Sequence, residues 1–244
     1  MSVDVIVPRI ASEDAPSIDG ENVTSNAQGT LTGEWAAAVQ SDNSGAALLI
    51  DSLMIDVDAE APNGSPLRRW AAMHDGTYLY VLVLVDDLGQ RERDSGSDLD
   101  QDDSLELFLD GDNSKLSSYD SNDFHRIMPV RLPGADKQSA SSGDIAGPSS
   151  SSAPLGLDFA TGPGIGPGGL RIERFEQDVY ELRIDLASAG IDVDAPFGFE
   201  VQVNDDDDGD ARDSKWGWKH PAGNGTDVDG TVDNPALMGT VKLE

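Results

Sequence analysis

Apolar and polar residues alternate with a period of two along several short stretches of the chain, and no long stretch carries the 3.6-residue period of an amphipathic helix. In "VYELRIDL" (179–186), Tyr180, Leu182, Ile184 and Leu186 fall on one face and Glu181, Arg183 and Asp185 on the other. In "FGFEVQVN" (197–204), Phe197, Phe199, Val201 and Val203 point inward and Glu200, Gln202 and Asn204 outward. "DSLELFLD" (103–110) alternates Leu105, Leu107 and Leu109 with Glu106 and Phe108. "YLYVLVLV" (78–85) is apolar on both faces, as a strand in the middle of a covered sheet is. "FHRIMPVR" (124–131) and "LRIERF" (170–175) are two further strand candidates. Many short strands joined by Gly, Asp and Asn turns predict an all-β chain, an antiparallel β-sandwich of jelly-roll or immunoglobulin-like type. The rhythm stops at 134–169, which is rich in Gly, Ser, Pro and Ala. Such a composition buries too little to order itself. The stretch reads as a surface loop inside one domain spanning 1–244, with an interdomain linker as the alternative.

Composition narrows the function classes. With 244 residues the chain is long enough for one substantial core. It has no cysteine, so disulfides and thiolate metal sites are excluded. Its longest apolar run is the eight residues of "YLYVLVLV", against the ~20 a membrane span needs. Sixteen basic residues stand against 46 acidic ones, a net charge of −30. Nucleic acids and anionic membranes both require a basic face, so neither is an expected partner. An acidic shell of this kind suits salty, halophilic or marine surroundings, where ions screen the self-repulsion. No signal peptide is visible at the start. The chain reads as a mature or excised piece of an extracellular or periplasmic protein.

The stretch "NDDDDGDARDSKWGWKHP" (204–221) sets six aspartates beside two tryptophans. Asn204, Asp206, Asp208 and Gly209 occupy the first, third, fifth and sixth positions of an EF-type calcium loop. The twelfth position is Lys215 instead of a bidentate glutamate, and the flanks are strand-like, so an EF-hand is rejected and a calcium site in a β-loop is kept. "DGDNS" offers a second oxygen cluster through Asp110 and Asp112. The competing reading of both runs is a solvated acidic turn. Trp216 and Trp218 flank Gly217, so in an extended segment both rings lie on one face, the competing reading being one ring in the core and one exposed.

Taken together, "APSIDGE" (15–21), "EWAAA" (34–38), "DGTYLYVLVLVDD" (75–87), "DDSLELFLDGDNSK" (102–115), "FHRI" (124–127) and "FGFEVQVNDDDDGDARDSKWGWKHP" followed by "NPALMGTVKL" resemble, in order and spacing, the family 9 carbohydrate-binding modules of xylan-degrading enzymes. That resemblance implies an antiparallel β-sandwich that holds a sugar without cleaving it, carries structural calcium, and brings a catalytic domain of a larger parent protein, or a cell surface, to a polysaccharide such as xylan. It assigns the hydroxyl grips to Glu106 and, allowing a one-residue shift around His125, Arg126, with Trp218 as the stacking plate. The second tryptophan of the family pattern is absent, its place being Asp100, so Trp216 or Trp70 is the substitute, and Gln202 is a further polar contact. The pairing is chemically apt: the C–H face of a pyranose stacks on an indole while charged or amide groups take its hydroxyls. The competing reading is a cross-strand Glu106–Arg126 ion pair.

Two other function classes compete with this one. A glycosidase needs two carboxylates at a set separation, which 46 acidic residues supply by chance, and no nucleophile elbow, phosphate loop or zinc motif is present. A haem-binding electron-transfer domain shares a related β-sandwich in which a Met and a His or Lys ligate iron, and His74, His125, Met73, Met128 and Met238 make it possible, though no spacing and no C-x-x-C-H supports it.

Overall fold

Two β-sheets pack face to face in a computed structural model that describes residues 2–20, 23–25, 30–56, 68–87, 99–130, 138–140, 145–146, 155–163, 176–206, 209, 211–220 and 234–244. The larger sheet has eight strands: β1 (Val5–Val7), β4 (Ser52–Asp56), β7 (Ser104–Asp110), β8 (Asp123–Pro129), β10 (Ile145–Ala146), β13 (Pro196–Asp205), β14 (Ser214–Gly217) and β15 (Gly239–Leu243). The smaller has five: β5 (Arg68–His74), β6 (Tyr78–Asp87), β9 (Gln138–Ala140), β11 (Leu157–Pro163) and β12 (Glu176–Asp185). A two-stranded ribbon, β2 (Thr24–Ser25) with β3 (Leu31–Thr32), completes the set. Neighbouring strands run antiparallel except β1, which lies parallel to β15.

The alternation in the sequence explains which face is which. Leu105, Leu107 and Leu109 of β7, Phe197, Phe199, Val201 and Val203 of β13, and Tyr180, Leu182 and Ile184 of β12 all meet in one apolar core between the sheets. β6 lies between β5 and β12, and its two apolar faces serve two cores. Val81, Val83 and Val85 enter the central one. Tyr80, Leu82 and Leu84 face outward and are covered by Val23, Leu31, Trp35 and Ala38 from the N-terminal segment.

The N-terminal segment is tied to the outer face of β12 by one side chain. Glu181 is 0% exposed. Its carboxylate accepts from the backbone N–H groups of Asp19 (3.0 Å) and Gly20 (2.8 Å) and from the indole N–H of Trp35 (2.8 Å). Gly20 has φ +68°, a left-handed conformation that glycine adopts without strain, and this turns its N–H toward the carboxylate.

The expectation of a loop over 134–169 fails at Leu157–Pro163. Those residues pair along their length with β12, and Leu157 and Phe159 are buried in the central core. The alternation in "LDFAT" is too short, and too closely bordered by Gly and Pro, to stand out from the low-complexity sequence around it. Within the same span, Gln138–Ala140 adds to β11 and Ile145–Ala146 adds to β8. Residues 134–137, 141–144, 147–154 and 164–169 and the strand candidate at 170–175 lie outside the described residues.

Candidate functional site

A β-sheet shows opposite residues of paired strands on the same face. In the eight-stranded sheet Glu106 pairs with Gln202 on one side and Ile127 on the other, Phe108 pairs with His125 and Glu200, and Asn204 pairs with Ser104 and Lys215. These residues therefore share the face turned away from the apolar core, and all but Phe108 and Ile127 contribute hydrogen-bonding groups to a polar layer there. At its centre Glu106 accepts from Lys215 Nζ (2.6 Å) and Asn204 Nδ2 (2.8 Å) and is bonded to His125 Nε2 (2.5 Å). Burial alone would raise the Glu106 carboxyl, but the charges of Lys215 and His125 outweigh it and hold it below the ordinary carboxylate range. An ionised Glu106 is acceptor-only, so His125 Nε2 is the donor in that contact. The His125 ring stacks on Phe108 with centroids 4.2 Å apart. Asn204 also donates to Ser104 (2.9 Å) and accepts from Arg212 (3.1 Å).

Glu200 borders the layer. It accepts from the backbone N–H groups of Trp218 (2.5 Å) and Lys219 (2.9 Å). Burial nonetheless pushes its pKa up to about 8.

Of the expected sugar contacts, the structure brings together Glu106 and Gln202, cross-strand neighbours in the polar layer. It separates the others from them. Arg126 pairs with Leu107, so it projects toward the core side, opposite Glu106; its guanidinium donates to the His125 carbonyl (2.9 Å) and lies over Phe124. Glu106 and Arg126 form neither a shared grip nor an ion pair. Trp216 and Trp218 do point to one face, but it is the core face. Trp218 is 8% exposed, with its ring edge-on to Trp70 at 4.7 Å and to Phe199 at 6.1 Å. Trp70 is 3% exposed. Neither is an exposed plate, because the period of two that aligns them with each other also aligns them with Val201 and Val203. Trp216 is half-buried, donates from its indole N–H to Ser214 (2.8 Å), and carries the Arg68 guanidinium 4.5 Å above its ring.

His125 and Lys215 were missed. Strand parity was the available signal: His125, rather than Arg126, shares a face with Glu106, and Lys215 lies on the opposite side of "KWGW" from both tryptophans. The residues a haem site would need are dispersed. Met128 lies in the central core, Met73 in the outer one, and His125 is held by Glu106.

The expected calcium ligands fall in two turns. Near the end of β13, Asn204 Nδ2 donates to Glu106 and Ser104, and its Oδ1 accepts from the Arg212 cation, whose charge opposes a metal ion there. Asp206 closes its own turn by accepting from Gly209 N–H (2.9 Å), and Asp208 lies outside the described residues. In the turn after β7, Asp110 accepts from the backbone N–H groups of Ser114 and Lys115, and Asp112 from Ser114 N–H and Asn122. Asp123 faces Asp110 across the strand pair. It is fully buried, one of its carboxyl oxygens has no hydrogen-bond partner, and burial together with the charges of Asp110, Asp120 and Asp112 raises its pKa to about 6. Burial also raises Asp110. Among the described residues, no three His, Asp or Glu side chains form a ready metal cage.

The family described as "Carbohydrate family 9 binding domain-like" matches residues 43–153 and 169–244. The gap between the two matched parts contains β11. Two solved structures of a family 9 carbohydrate-binding module from Caldicellulosiruptor kristjanssonii are similar in fold. The one in complex with cellotriose is 20% identical, with a TM-score of 0.61 over 98% of this chain and 93% of that one. The one in complex with glucose is 21% identical, with a TM-score of 0.60 over 98% and 95%. No curated protein matches the chain.

Proposed function

The chain belongs to the carbohydrate family 9 binding domain-like family, and on that premise we propose that it binds a β-linked oligosaccharide without cleaving it, at the polar layer on the outer face of the eight-stranded sheet. One observation supports the location. Glu106, on the strand with the family-like "DSLELFLD" sequence, stands beside Gln202, His125 and Lys215 in a single row-and-column array of sugar-compatible donors and acceptors. Such modules are non-catalytic, and we place this one on an extracellular, polysaccharide-active parent protein. No helix among the described residues is long and apolar enough to cross a membrane.

Glu106, Gln202, His125 and Lys215 are each at most 1% exposed. A sugar reaches them only in molecules where this face is open, and the apparent affinity falls by that fraction. With no exposed indole plate among the described tryptophans, affinity rests on hydrogen bonds. A disaccharide at about −0.3 kcal/mol per heavy atom has a dissociation constant of about ten micromolar or weaker. Affinity electrophoresis through gels containing soluble β-glucans or xylan, in moderate salt, tests the reading. Retardation on at least one of these polysaccharides supports it, and unretarded migration in all of them counts against it.

The turn at Asp110–Asp123 fits a calcium ion in the chemistry of its donors: hard carboxylate oxygens, one of them fully buried and without a hydrogen bond. We propose that Asp123 and Asp110 hold such an ion and that it stabilises the fold. At a calcium concentration a hundredfold above its dissociation constant, chelation at low salt is expected to lower the melting temperature by about 5 to 10 °C. Asp123→Asn should abolish that response. A melting temperature indifferent to chelator removes the proposal.

A further inference from the structure

We propose that the protein carries a second saccharide site on the opposite side of the sandwich, a cleft for one neutral pyranose ring between the five-stranded sheet and the 30–48 segment. The ligand class rests on the carbohydrate reading above; the site itself does not.

The cleft has a volume of about 250 Å³. Ligand pockets for drug-sized molecules run from roughly 300 to 1,000 Å³, so this one suits a single ring and not an oligomer. Its floor is apolar and comes from β6: Leu82 and Leu84 project outward there, opposite Ala71 and Arg69 of β5. Leu31 adds to the same wall. Its rim is polar, with Thr30, Gln40, Ser41 and Arg69. The frame is anchored: Gln40 Oε1 accepts from Leu31 N–H (3.0 Å), the Gln40 carbonyl accepts from Leu48 N–H (3.2 Å), and Leu49 bridges to Arg69. An apolar floor below and hydroxyl, amide and guanidinium groups around the rim match a pyranose, which has a C–H face and an equatorial belt of hydroxyls.

Charge selects a neutral ring over an acidic one. The Arg69 guanidinium already has the Asp86 carboxylate near it, and partial burial lowers its pKa. A ligand carboxylate would compete with Asp86 and would approach a chain of net charge −30. A neutral sugar meets neither obstacle.

The test is a 15N-correlation titration of the intact chain with methyl β-glucoside and, separately, with glucuronate. Methyl β-glucoside is expected to shift the Leu31 and Ala71 amides and the Arg69 side-chain N–H, with a dissociation constant of about 1 mM. Ala47 lines the cleft from an exposed position, so Ala47→Trp fills it without entering the core. That variant should weaken these shifts tenfold or more, and Arg69→Leu is the independent check. Gln202→Met, on the other face, should leave them unchanged. Absent shifts at Leu31, Ala71 and Arg69, or shifts that survive Ala47→Trp, overturn the proposal. Tighter binding of glucuronate overturns the neutral ligand class. Shifts here that persist while no glycan perturbs the Glu106 layer would leave this cleft standing and sink the outer-face site instead.

Discussion

Glu181→Ala is expected to destabilise the protein by about 3 to 5 kcal/mol, because it leaves three donors at the base of the N-terminal segment without an acceptor. Those donors are the backbone N–H groups of Asp19 and Gly20 and the indole N–H of Trp35, all held at 2.8–3.0 Å by a carboxylate with no exposure. An unmet buried donor costs roughly 1 to 3 kcal/mol, and water can reach only part of this site. Burial raises the Glu181 carboxyl while the three N–H bonds pull the other way. In a chain of this size the loss corresponds to a fall in melting temperature of about 10 °C or more. Thermal melts of the wild type and variant check it, and limited proteolysis should show the segment around Gly20 cut first in the variant. A melting temperature within a degree or two of wild type would mean that this carboxylate is not what ties the segment down.

Trp218→Ala should destabilise the protein and leave sugar binding alone. The ring lies in the central core, edge-on to Trp70 and near Phe199. Gly239 is packed directly against it: a Cβ there would lie 2.5 Å from Trp218 Cζ3. Truncating a buried tryptophan to alanine costs about 3 to 5 kcal/mol through lost transfer energy and the cavity left behind. The expected result is a melting temperature lower by about 10 °C with near-ultraviolet circular dichroism weakened, and unchanged sugar affinity in the folded fraction. Unchanged stability together with lost binding would restore the exposed-plate reading that the sequence suggested.

The strands were legible wherever one clean alternation ran for six or more residues, as in 179–186 and 197–204, because a period of two has one physical meaning when one face is apolar. β11 was not, since a five-residue alternation inside a Gly/Pro-rich stretch is indistinguishable from loop composition. The site was half legible. Parity put Glu106 and Gln202 each on the polar face of its own strand, the resemblance supplied the site role of Glu106, and the same parity rule, applied to "FHRI", would have chosen His125 over Arg126. Two things lie beyond pattern reading. One is which side of the sheet is covered: Glu106, Gln202 and Lys215 alternate as solvent-facing residues do, yet they are buried. The other is long-range pairing, as between Glu181 and the "IDGE" turn some 160 residues earlier, which depends on the whole topology.

The central claim is that carbohydrate binds at the Glu106–Gln202 layer, and titration calorimetry with cellotriose on wild type and Gln202→Met tests it most directly. Methionine nearly matches glutamine in volume and removes only its hydrogen bonds, so melting temperatures verify that both proteins are folded. The account predicts heat of binding with a dissociation constant of about ten micromolar or weaker for the wild type, and at least a tenfold loss for the variant. Equal binding by both proteins, or no binding by a folded wild type to cellotriose or to xylotriose run alongside it, would contradict it.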